Sequence, residues 1–174
     1  MRNNLILVGF MGTGKTTVGA ALSEELGMIH RDLDEAIVER AGCTIPQLFE
    51  QKGEAFFRDM EAAVLADLLK QHGLVLTTGG GAVLRAENVQ RMLEGGLVVA
   101  LSATEEELVR RLERDQNRPL LAGGVAQRVK ALLEQRKDSY TFAPVQIDTT
   151  GKEVAEIVAE IRLAMVEKGL IGKD

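Results

Sequence analysis

Eight residues, Gly9-Phe10-Met11-Gly12-Thr13-Gly14-Lys15-Thr16, constrain this chain more than any others. They fit G-x-x-x-x-G-K-[ST] with Gly9, Gly14, Lys15 and Thr16 in the fixed places. The apolar run Leu5-Ile6-Leu7-Val8 comes just before, and reads as a buried strand. Val18, Ala21, Leu22 and Leu26 follow at helical spacing, with Gly27 as a stop. Strand, glycine turn and helix together make a phosphate cradle. Glycines let the backbone turn its N–H groups inward around anionic oxygens. The helix aims its positive end at the same anion. Lys15 would neutralise the outer phosphates, and the Thr16 hydroxyl would ligate Mg²⁺. The motif specifies a magnesium nucleotide and leaves the phosphoryl acceptor open.

The rest of the chain alternates strand and helix patterns. Met28-Ile29-His30-Arg31 is a weak extended run, followed by a helical stretch from Asp34 to Arg40. Thr44 and Pro46 fit the start of a short helix through Phe49, and a longer helix is expected from Glu54 to Lys70. Leu74–Thr78 and Leu97–Leu101 read as strands. Ser102 or Thr104 can cap a helix carrying Leu108, Val109 and Leu112. Asp115–Gly124 looks like a loop, Val125–Leu133 opens another helix, Val145–Asp148 is a last strand, and Val154–Ile161 belongs to a last helix. Such alternation implies an α/β fold with a parallel sheet of about five strands covered on both faces. With 174 residues and no Pro/Gly-rich linker, a single domain over 1–174 is expected.

Composition excludes several classes. The formal net charge of −5 and the absence of a basic patch argue against a nucleic-acid partner. No apolar run approaches the roughly 20 residues of a membrane span. A cytoplasmic location is expected, since the phosphate loop starts too early for a cleaved leader. Cys43 is the one cysteine, so no internal disulfide forms, and it reads as a small packing residue. His30 and His72 have no metal-ligand spacing and receive no role.

Five further features bear on the acceptor. Asp32 and Asp34 follow a short strand; in an extended chain, residues i and i+2 face the same way, toward one site or toward solvent. Arg58 sits three residues before Glu61 on the long helix, either a surface ion pair or an anion grip. Gly79-Gly80-Gly81 ends a strand, where an open α/β sheet binds ligands, or where the chain simply turns. Arg118-Pro119-Leu120-Leu121 lies in the 115–124 loop and can close over a nucleotide. Arg136, four residues before Tyr140, is either solvated or a carboxylate fork.

In this order and spacing, from about Leu5 to Thr150, these features closely resemble the shikimate kinases. The resemblance implies a three-layer α/β/α P-loop NTPase fold of the nucleoside monophosphate kinase type, with a five-stranded parallel sheet. It implies an acceptor segment around residues 33–61 and a lid around 112–124. The activity implied is transfer of the γ-phosphoryl group of ATP to the 3-hydroxyl of shikimate, on the way to chorismate and the aromatic amino acids. Asp34 would hold acceptor hydroxyls and serve as the base. Arg58 and Arg136 would grip the carboxylate, and Gly79, Gly80 and Gly81 would supply backbone contacts. Lys15 and Arg118 would stabilise the moving phosphoryl group. Gly12, Thr13, Gly14, Lys15, Thr16 and Thr17 would hold the phosphates. Arg111 would lie on the adenine, with neighbouring Arg110 as a rival for that position, and Asp148–Gly151 would approach the base. Thr16 would hold one Mg²⁺ per chain, with Asp32 nearby, and a monomer is expected.

The segment after Tyr140, Thr141-Phe142-Ala143, lacks the acidic residues common in that family and is one residue short. A gluconate or nucleoside monophosphate kinase, or a nucleotide-binding switch without turnover, are the competing readings. The Asp32/Asp34, Gly79–Gly81 and Arg118–Leu121 set argues against the first, and intact Lys15, Asp34 and Arg118 against the second.

Overall fold

The computed structural model describes residues 3–114 and 124–172. The five strands are β1 (Leu5–Gly9), β2 (Ile29–Asp32), β3 (Leu74–Thr77), β4 (Leu97–Ser102) and β5 (Val145–Asp148). They form one parallel sheet in the order β2-β3-β1-β4-β5. The helices are α1 (Lys15–Leu26), α2 (Leu33–Ala41), α3 (Ile45–Leu68), α4 (Ala86–Gly95), α5 (Glu105–Arg114), α6 (Val125–Arg136) and α7 (Val154–Glu167).

Period-two alternation sorts the strands into two cores. Ile6, Val8, Leu74, Leu76, Val98 and Ala100 face the layer built by α2, α3 and α4. Leu5, Leu7, Val75, Val99 and Leu101 face α1 and α7. This is the expected three-layer arrangement. A third, smaller cluster joins Phe10 of the phosphate loop to Leu108, Leu112 and Val129 of α5 and α6. The loop after central β1 is thereby packed against the two helices that flank residues 115–123, including Arg118, which lie outside the described residues.

Several expectations are sharpened. Thr44 and Gln47 form a reciprocal capping box, so the short helix starts as anticipated. It runs into the longer one as α3, with a break at Gly53, whose φ of 81° and ψ of 172° are not helical. Thr104, rather than Ser102, accepts the N–H of Glu107 at the start of α5. Helix α4 and the 3₁₀ turn Ala82–Leu84 had no counterpart in the sequence pattern. Helix α4 buries Asn88, Met92 and Gly95, of which Met92 alone is a large apolar side chain, too short a stripe to register.

The expected strand geometry of the two aspartates is not what forms. Strand β2 stops at Asp32, and α2 begins at Leu33, so Asp32 and Asp34 do not alternate along an extended chain. Asp32 is the N-cap of α2, accepting the N–H groups of Asp34 (3.0 Å) and Glu35 (3.2 Å). The two carboxylates reach the same cleft through a strand end and a first helical turn.

Candidate active site

The carboxyl ends of β1, β2 and β3 open into a cleft of about 660 Å³. Gly12, Gly14, Lys15, Thr16 and Thr17 line one end, Arg58, Glu61 and Gly79–Gly81 line another, and Asp32, Asp34, Arg111 and Arg136 also face it. Thr13 does not: it is 1% exposed, and its hydroxyl donates to the Phe10 carbonyl (2.8 Å), so it shapes the loop from within. The Lys15 ammonium donates to the Gly9 and Phe10 carbonyls, each at 2.8 Å. Phosphate oxygens arriving in the loop compete with those carbonyls for its protons.

At the phosphate-loop end of the cleft, Arg111 and Arg110 make different contacts. Arg111 donates to the Gly12 carbonyl (3.2 Å), the Thr149 hydroxyl (3.0 Å) and the Thr149 carbonyl (3.0 Å). Glu107 steers it from one turn back (2.8 Å). Arg110 points outward, 57% exposed, against the same Glu107. Thr149 is fully buried, and the Thr150 hydroxyl accepts the Thr104 N–H (2.9 Å), so the segment after β5 is tied to the start of α5.

On the acceptor side, the three glycines make room for three specific side chains. A Cβ on Gly79 would lie 3.0 Å from an Asp34 carboxylate oxygen. On Gly80 it would lie 3.1 Å from Arg136 Nη1, and on Gly81 2.6 Å from Arg58 Nη2. The run is thus a wall of bare backbone against which Asp34, Arg136 and Arg58 converge, rather than a loose turn. Arg58 is held by Glu61, whose two oxygens accept from Nη1 at 2.8 and 3.1 Å. Glu61 is only 2% exposed, so this is no surface pair.

Burial does most to push the Asp34 pKa up, from 3.8 to about 6. Repulsion from Asp32 and Glu61 adds to it, and Lys15 and Arg58 partly offset it. Burial likewise raises Glu61, against the hydrogen bond from Arg58. A carboxylate held ready near neutral pH beside cations, in a cleft, is what a proton acceptor needs.

Sequence reasoning missed a relay behind Asp32. The Thr77 hydroxyl, fully buried, donates to Asp32 Oδ2 (2.6 Å), and His30 Nε2 lies 3.1 Å from the same hydroxyl. With its hydrogen committed to Asp32, the Thr77 oxygen accepts from His30. Tyr140, noted beside Arg136, was given no contact; its hydroxyl donates to the Gly80 carbonyl (2.8 Å). Both links join residues 45 or more apart in the chain, so no local pattern signals them.

The sequence profile of the shikimate kinase family matches residues 11–166. This chain belongs to the shikimate kinase family. The shikimate kinase of Moorella thermoacetica is 42% identical over 95% of this chain and 95% of its own. That of Geobacter sulfurreducens is 45% identical over 91% of this chain and 88% of its own. The shikimate kinase of Acinetobacter baumannii, solved in complex with shikimate, superposes with a TM-score of 0.88 at 39% identity, covering 97% of this chain and 95% of that one. A gluconokinase from Sinorhizobium meliloti shares the fold alone, at 19% identity and a TM-score of 0.60. The chain is accordingly an ATP-dependent kinase of the shikimate pathway, with the P-loop fold of that family.

Proposed function

We propose that the cleft holds ATP along Gly12–Thr17 and Arg111 and holds shikimate against Gly79–Gly81, so that the γ-phosphoryl group passes to the 3-hydroxyl. The observation that carries this reading is the meeting of Asp34, Arg136 and Arg58 on the three glycines, in the cleft that Lys15 enters. Two guanidinium groups at one end suit a carboxylate, and a carboxylate at the other suits vicinal hydroxyls. Asp34 orients the attacking hydroxyl and takes its proton as the oxygen–phosphorus bond forms and the bond to ADP breaks. Lys15 bears on the departing and transferring phosphate oxygens, and Arg118, outside the described residues, is read as a second cation for the same charge. Arg58 is kept in place by Glu61, which leaves its Nη2 for the ligand.

The donor set suits Mg²⁺. Thr16 offers a hydroxyl on the exposed side of the cleft, and Asp32 a carboxylate already oriented by Thr77 and the α2 backbone. Among the described residues no group of three carboxylate, His or Cys side chains could cage a metal. That fits a cation carried in mainly by phosphate oxygens and water. Bound there, Mg²⁺ would supply neutralisation of the β- and γ-phosphate charge.

We also read the chain as one domain over residues 1–174, since one sheet organises its layers. Its acidic balance of −5 speaks against a nucleic-acid partner. Among the described residues no helix is long and apolar enough to cross a membrane, and we read no membrane partner. A monomeric enzyme of the cytoplasm, where ATP is made available, completes the reading. ADP release coupled to a spectroscopic readout, with Mg-ATP and a panel of shikimate, gluconate and nucleoside monophosphates, tests it. Turnover with shikimate is expected to exceed the others by orders of magnitude. Equal or greater turnover with gluconate would overturn it.

A further inference from the structure

Peptide planes between glycines are the least restrained in a protein, because neither flanking residue has a Cβ to limit rotation. The run Gly79-Gly80-Gly81 contains two such planes in succession, at the wall where Asp34, Arg136 and Arg58 converge. Something must fix them. The Gly79 carbonyl accepts from the Ala82 N–H (3.2 Å) and the Gly81 carbonyl from the Leu84 N–H (3.1 Å), both within the 3₁₀ turn. The Gly80 carbonyl lies outside that ladder, and a side chain holds it: Tyr140 Oη, at 2.8 Å.

Tyr140 is itself firmly placed. Its ring packs against both the core under α2, α3 and α4 and the separate cluster of Phe10, Leu108, Leu112 and Val129. Its own carbonyl accepts from Gln146 Nε2 (3.0 Å). Burial pushes the phenol above its ordinary value, against the positive charge of Arg136 and a side-chain hydrogen bond with it, so the hydroxyl stays protonated and meets both the Gly80 carbonyl and Arg136. A trans peptide is planar, so fixing the Gly80 carbonyl also fixes the direction of the Gly81 N–H. The same peptide joins the glycine that abuts Arg136 to the glycine that abuts Arg58.

We propose that Tyr140 is a positioning residue for the acceptor: its hydroxyl locks the Gly80–Gly81 peptide, and so sets the backbone between the two arginines that read the carboxylate. The inference rests on the acceptor assignment given under Proposed function. It also explains why the residues after Tyr140 can depart from the family pattern. Ala143 is buried and its N–H bonds back to the Tyr140 carbonyl (3.3 Å), so the turn itself presents the phenol without acidic residues.

Tyr140→Phe tests this, since it keeps the ring in both clusters and removes the hydroxyl, with its bond to the Gly80 carbonyl and its hydrogen bond with Arg136. The expected result is a rise in the KM for shikimate of about 5- to 10-fold, the worth of one hydrogen bond. Affinity for ADP measured without acceptor should stay within about two-fold, because the phosphate loop is untouched. An unchanged KM for shikimate overturns the proposal, and so does an equal loss of ADP affinity, which would mark general loosening. A second measurement needs no variant. Tyr140 is the one tyrosine and there is no tryptophan, so the tyrosine emission of the wild-type chain reports this residue alone. Adding shikimate without nucleotide should change that emission saturably, and a silent titration counts against the proposal. Wild-type turnover on shikimate is measured first. Its absence overturns the acceptor assignment and this proposal together, whereas normal wild-type turnover with an unaltered Tyr140→Phe overturns this proposal alone.

Discussion

Asp34→Asn should make the protein both inactive and more stable at neutral pH. The ionised carboxylate is destabilised where it stands, by burial and by Asp32 and Glu61, which lift its pKa from 3.8 to about 6. A lift of that size corresponds to about 3 kcal/mol. The sign follows from proton binding. Between these two values the folded chain holds the proton more tightly than the unfolded chain, so folding stability from this group is complete below pH 3.8 and is lost as pH rises through about 6. Asparagine does not titrate. The stability of Asp34→Asn relative to wild type should therefore grow as pH rises from about 4 to 7.5, by up to about 3 kcal/mol. In a chain of this size that is a difference in Tm of the order of 5–10 °C. Urea unfolding of both proteins across that range, without nucleotide and with chelator present, measures it. The change with pH isolates the ionisation, because the fixed difference between the two side chains is common to every point. A stability difference that stays flat, or shrinks toward neutrality, would refute the account of Asp34 as a carboxylate held against its environment. Turnover should fall by about 10²- to 10⁴-fold in the same variant, the scale of a lost proton acceptor.

Gly81→Ala places a methyl 2.6 Å from Arg58 Nη2, and should raise the KM for shikimate at least about 10-fold while ADP affinity holds. Arg58→Ala removes half of the carboxylate grip and strands Glu61, which is 2% exposed; loss of kcat/KM by about 10²-fold is expected, with a further rise in the Glu61 pKa visible by carbon NMR. Thr77→Val deletes the donor to Asp32 and should lower stability by about 1–2 kcal/mol and weaken the magnesium dependence of turnover, with Thr77→Ser restoring both.

The phosphate loop was legible because its chemistry is local: the strand before it, the glycines in it and the helix after it are contiguous, and each is dictated by backbone geometry. The sheet was legible because its three inner strands, β3, β1 and β4, are buried on both faces and read as apolar runs, whereas the edge strands β2 and β5 are partly exposed and read more weakly. Asp32 and Asp34 do face one cleft, but not by strand alternation: Asp32 ends β2 and caps α2, and Asp34 lies in the first helical turn. For Arg58 and Glu61 the sequence left a surface pair and an anion grip both open, because the burial that makes Glu61 a brace for Arg58 comes from the cleft wall and not from its helix. Helix α4 went unread because it contributes little apolar surface. The contacts of Thr77, His30 and Tyr140 escaped for one shared reason. Each acts through a hydrogen bond between distant segments, and a single sequence carries no trace of which hydroxyl meets which carbonyl.

The central claim is that the acceptor binds by its carboxylate to Arg58 and Arg136 with a hydroxyl at Asp34. A crystal structure of this chain with shikimate and ADP tests it most directly. The account predicts guanidinium nitrogens of both arginines within about 3.2 Å of the carboxylate and the 3-hydroxyl at the same distance from Asp34, on the side facing Lys15. A carboxylate seated on Lys15 or Arg111, with Arg58 and Arg136 turned away, would contradict it.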